Sequence, residues 1–105
     1  MTLQQFEANL KEAAPDLVFH LAGPKGCHRY VCWHSYGRSS AYGDDRNQID
    51  APKVQIDIHT QSVSDTLVDD ICAALWLMDL PYEVVSEGYD DEYADLRTIL
   101  QLVVA

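Results

Sequence analysis

Polar and apolar residues alternate without a break from Lys53 to Thr60. Period two sets Val54, Ile56 and Ile58 on one face and Lys53, Gln55, Asp57 and His59 on the other, the pattern of a half-buried strand with a polar open face. Upstream, Leu3, Phe6 and Leu10 recur at helical spacing, Thr2 is positioned to cap the run, and Pro15 ends it near Ala14. Residues 17–21 form a short apolar run, read as a first strand or an extended connection, and Gly23-Pro24-Lys25-Gly26 reads as a turn. Residues 28–36 are rich in aromatic and β-branched side chains and predict a strand. Tyr30, Cys32, His34 and Tyr36 oppose Val31, Trp33 and Ser35, so both of its faces are expected to be partly covered.

Residues 37–52 hold turn formers throughout and show no period, which predicts a long loop acting as a binding arm. Past the alternating strand, Ser62 is the expected N-cap of an acid-rich helix reaching Asp79. Leu67, Val68, Ile71, Cys72, Leu75 and Met78 make its apolar stripe, with Trp76 at the edge. Residues 82–86 and 96–104 then read as a hairpin whose connection, 87–95, holds five acids. The last run is apolar on both faces, so it is expected inside the sheet or in a subunit contact. The element order is α-β-β-β-α-β-β, an α+β chain.

At 105 residues this is expected to be one domain, 1–105, with a single modest core. No apolar run approaches a membrane span and the first ten residues do not read as a signal peptide, so a cytosolic location is expected. Three cysteines make a poor disulfide framework, and Cys72 falls on the apolar face of the second helix. The net charge of −10 is unevenly distributed. Residues 53–105 set eleven acids against Lys53 and Arg97, which argues against direct nucleic-acid reading. Solubility alone accounts for that surface as well as a functional role does.

Cys27, His28, Cys32 and His34 are metal-ligand residue types, but their spacing lacks the second pair that a zinc site uses. A nucleophile pair of Cys32 with His59 or His20 comes without a recognisable motif. The acids of 87–95 lack the alternation and terminal glutamate of a calcium loop and read as a solvated connection. With no glycine-rich phosphate loop and no nucleophile elbow, the sequence predicts neither an enzyme nor a bound metal or cofactor.

The strand His-Arg-Tyr-Val-Cys-Trp-His, the run Val-Gln-Ile-Asp-Ile-His-Thr, the helix Ser-Asp-Thr-Leu-Val-Asp-Asp-Ile-Cys-Ala-Ala-Leu and the closing Leu-Arg-Thr-Ile-Leu-Gln-Leu-Val-Val follow one another in a recognisable order. Over nearly its whole length the chain resembles the tail-terminator, or tail-completion, proteins of long-tailed bacteriophages and prophages. The resemblance implies one sheet of about four to five mostly antiparallel strands packed by two helices. It also implies a homo-oligomeric ring, typically a hexamer, that caps the tail tube and faces the head connector. Such a protein would reside in the host bacterial cytoplasm during assembly and then in the virion tail. The expected interface residues are Arg38, Tyr42 and Arg46 of the arm, meeting Asp90, Asp91 and Glu92 of the next subunit head to tail. Acids lining the central channel would let DNA pass without sticking. The alternatives are a head–tail connector or head-completion protein, or a small acidic inhibitor that mimics nucleic acid and stays monomeric. An enzyme would need a pocket gathering Cys32, His34 and His59.

Overall fold

The computed structural model describes residues 1–40 and 50–104, apart from the side chains of residues 39, 40 and 50. Its elements are α1 (Leu3–Ala13), β1 (Val18–His20), β2 (Tyr30–Ser40), β3 (Asp50–Thr60), α2 (Leu67–Leu77), β4 (Tyr82–Asp90) and β5 (Asp95–Val103). The fold is α+β, in the expected order. Among the described residues the five strands form one sheet, β1-β2-β3-β5-β4, in which β1–β2 is parallel and the other three pairs are antiparallel.

Both helices cover one face of this sheet. Phe6 and Leu10 of α1 and Leu67, Ile71 and Leu75 of α2 pack on Val31, Trp33, Val54, Ile56, Ile58, Leu100 and Leu102. The period-two run therefore does what its pattern predicts, burying Val54, Ile56 and Ile58 completely. Phe6 meets Trp33 edge to face, ring centroids 5.7 Å apart, and the indole Nε1–H donates to Glu7 at 3.0 Å.

The first helix starts as expected. Gln5 N–H donates to Thr2 Oγ1 at 3.1 Å and Thr2 N–H to Gln5 Oε1 at 2.9 Å, a capping box. The second helix starts later than Ser62. The Ser62 hydroxyl is used locally, accepting from Ser64 N–H at 3.2 Å, and Asp65 Oδ1 accepts from Leu67 N–H at 2.9 Å. Asp65 is itself held by Arg29 at 2.8 Å, which fixes the acid beside the first helical turn. At the other end Leu80 N–H reaches Leu75 O and Asp79 N–H reaches Trp76 O, both at 3.0 Å. This is a Schellman closure with Asp79 in the left-handed region at φ 57.

Two expected loops are shorter than their composition suggests. The arm expected over 37–52 is strand at both ends: Gly37 pairs with Lys53, Arg38 with Pro52 and Ser39 with Ala51. A register shift between Ser35 and Gly37 leaves Tyr36 as the extra residue of a bulge beside the glycine. Pro52 is tolerated because the β3–β5 register ends at Lys53–Val103, so no ladder donor is needed from it on that side, while its carbonyl accepts from Val104 N–H at 3.0 Å. Likewise β4 runs on to Asp90, so Glu87 pairs with Thr98 and Tyr89 with Leu96. Only residues 91–94 remain as the turn of that hairpin. β5 lies between β3 and β4, inside the sheet, which accounts for apolar residues on both of its faces.

Candidate functional site

The face of the sheet turned away from the helices carries a continuous polar ladder. Gln101 Nε2 donates to Gln55 Oε1 at 3.2 Å, and Gln55 Nε2 donates to Asp57 Oδ1 at 2.9 Å. Arg97 completes it, donating to Asp57 Oδ2 at 2.6 Å and to Asp90 Oδ2 at 3.1 Å, with its guanidinium 5.4 Å from the Tyr93 ring centroid. These side chains share a face because the register sets Gln55 opposite Gln101 and Asp57 opposite Ile99, two residues from Arg97 along β5. Burial opposes the Arg97 charge, but Asp57 and Asp90 more than compensate and raise its pKa. Asp90 is held below the usual carboxylate range: desolvation works against this, and the bonds from Arg97 and from the Glu92 and Tyr93 backbone outweigh it.

At the lower end of this face lies a pocket of about 390 Å³ between the loop of residues 21–28 and the β4–β5 turn. His59 forms part of its floor. Its Nδ1 sits 3.0 Å from both oxygens of Asp95, and since a carboxylate only accepts, Nδ1 carries the proton. The ring is stacked on Tyr30 (centroids 4.4 Å apart, planes 17° apart) and meets Tyr93 edge-on at 5.1 Å. His59 and Asp95 are both 3% exposed. Beside them His28 Nδ1 lies 3.8 Å from Asp95 Oδ2, buried and, among the described residues, without a hydrogen bond. Gly23 is obligatory here, because a Cβ would fall 2.1 Å from the Tyr30 ring. Burial raises the pKa of Tyr30 and of Cys32, so both stay neutral at physiological pH.

The described residues of the expected interface are not brought together within one chain. Arg38 lies near the far end of β2, opposite Pro52, whereas Asp90, Asp91 and Glu92 sit at the closing turn of the β4–β5 hairpin. Tyr42 and Arg46 lie outside the described residues. Asp90 is engaged by Arg97 and by two turn amides, while Asp91 and Glu92 are exposed.

Of the metal-ligand types, Cys27, His28 and Cys32 line the pocket, and His34 lies outside it, its ring 6.4 Å from that of Tyr36. Among the described residues no group of three or more His, Cys, Asp or Glu side chains is arranged to hold a metal ion. The pocket thus gathers Cys32 and His59 without His34, and the thiol is neutral by burial, which suits packing better than nucleophilic attack. The Asp95–His59 pair was not foreseen. Its only sequence signal is the place of His59 on the polar face of the alternating strand, and its partner depends on register.

The outer edge of the sheet is the other conspicuous surface. Eight of the nine residues of β4 are exposed, and Tyr82, Val84, Val85 and Tyr89 are apolar or aromatic among them. Trp76 and Leu77 on α2 are 82% and 84% exposed. Among the described residues no helix is long and apolar enough to cross a membrane. No protein-family model matches the chain, and no curated protein matches it.

Proposed function

We propose that the chain is a structural subunit of the phage or prophage tail-terminator type, one that forms a homo-oligomeric ring, caps the tail tube and presents a surface to the head connector. The observation that carries this reading is the polarity of the sheet edges. Residues 17–40, which contain β1, β2 and their connecting loop, hold Lys25, Arg29 and Arg38 and no acid. Residues 79–95, which contain β4 and its turn, hold seven acids and no base. Strand order β1-β2-β3-β5-β4 sets these segments at opposite edges of one sheet.

A molecule with complementary opposite edges associates head to tail, and head-to-tail contacts close into rings when the rotation between copies permits. The open β4 edge and its exposed apolar side chains supply area that charge alone lacks. Assembly would take place in the bacterial cytoplasm and the finished ring would belong to the virion tail. The polar ladder of the open sheet face is built for order rather than for turnover. Charge reversal in the basic segment (Lys25→Glu with Arg29→Glu) should weaken association in sedimentation experiments. Restoration by Glu83→Lys with Glu87→Lys would support the edge contact. Self-association that ignores all four substitutions would refute it.

A further inference from the structure

We propose that His28 is a proton-operated latch over the pocket: when protonated, its Nδ1–H closes onto Asp95 and fastens the loop of residues 21–28 to the β4–β5 hairpin. When His28 loses the proton, the loop is released and the floor of Tyr30 and His59 is uncovered.

The geometry is that of an interaction nearly made. Among the described residues His28 Nδ1 is buried with no hydrogen-bond partner, 3.8 Å from Asp95 Oδ2, which is about 1 Å beyond a charged N–H···O bond. The Asp95 side chain is 1% exposed and among the described residues accepts only from Nδ1 of His59, so a carboxylate with room for about four donors has capacity left. The start of the loop is anchored, with Leu21 N–H donating to Trp33 O at 2.9 Å and Gly23 against the Tyr30 ring, but beyond it the Ala22 and Cys27 amides bond within the segment itself, to His20 O and Pro24 O, and Gly26 turns at φ 78 with open space around it.

The groups facing His28 come from every element around it. Lys25, Cys27 and Arg29 belong to its own segment, with Arg29 engaged by Asp65. Tyr30 and Cys32 come from β2, Asp57 and His59 from β3, Glu92 and Tyr93 from the turn, and Asp95 from β5. Asp57 is matched by Arg97, so Asp95 and the exposed Glu92 are the acids left to face His28. His59 already commits one N–H to Asp95 and is clamped between two tyrosines, which leaves His28 as the mobile partner.

Amide hydrogen exchange of the intact chain at pH 5.5 and pH 8, corrected for intrinsic rates, tests the latch. In the wild type, protection of residues 22–28 should be about three-fold or more greater at the lower pH. In His28→Gln, which keeps a neutral donor and should fold normally at this half-exposed position, the contrast should vanish. A second readout needs no variant: the His28 ring signals and the amides of residues 92–95 should titrate together by NMR. Equal protection at both pH values in the wild type, or the full contrast surviving in His28→Gln, would overturn the proposal.

Discussion

Arg97 reaches across from β5 to Asp57 on β3, its guanidinium 2.6 Å from Oδ2, and this contact joins the two ends of the polar ladder. Both side chains are mostly buried, at 25% and 13% exposure. Arg97→Ala would strand Asp57 and Asp90 and remove the cover over Tyr93. A loss of about 1–3 kcal/mol is expected in urea unfolding, since an abandoned half-buried acid costs more than the net worth of the pair.

Asp79 closes α2 in the left-handed region at φ 57, where a side chain is strained and glycine is not. Asp79→Gly should keep the Schellman bonds and raise stability by about 0.5–1 kcal/mol in thermal or urea unfolding. The exposed acid contributes no packing that would offset this gain.

Acid sensitivity should be confined to low pH as far as two carboxylates are concerned. Asp65 is lowered by its hydrogen bond from Arg29, and Asp90 is lowered, against desolvation, by Arg97 and two turn amides. A depressed folded-state value contributes stability above the unfolded value and loses it as pH falls through the folded one. Their contribution should therefore be complete above about pH 4 and disappear below it. Asp65→Asn should flatten that part of the pH–stability curve by lowering stability above about pH 4 and leaving it nearly unchanged at the acid end.

The three thiols should report their surroundings directly. Cys27 is exposed, Cys72 is half-buried and Cys32 is buried with a raised pKa. Limited alkylation followed by peptide mass mapping should label Cys27 first and Cys32 only after unfolding.

The elements were legible in the sequence because period two and period 3.6 are local properties. Val54, Ile56 and Ile58 announce their face, as do Leu67, Ile71 and Leu75. Strand ends were less legible, since Gly37 and Pro52 are turn formers by chemistry yet sit in a ladder, one beside a bulge and the other just past the last β3–β5 pair. Ser62 lost the cap because Asp65, fixed by Arg29 from 36 residues away, served the helix amide instead. The same limit hid the pocket. Asp95 and His59 are also 36 residues apart, and only the β3–β5 register, with Tyr30 stacked from β2, brings them together.

Electron microscopy of the chain mixed with tail tubes tests the central proposal most directly. A ring of subunits seated on one end of the tubes is the expected result, lost when Val84 and Val85 on the open β4 edge are both changed to lysine. Tubes that stay bare at both ends, with the chain monomeric beside them, would contradict the assembly role.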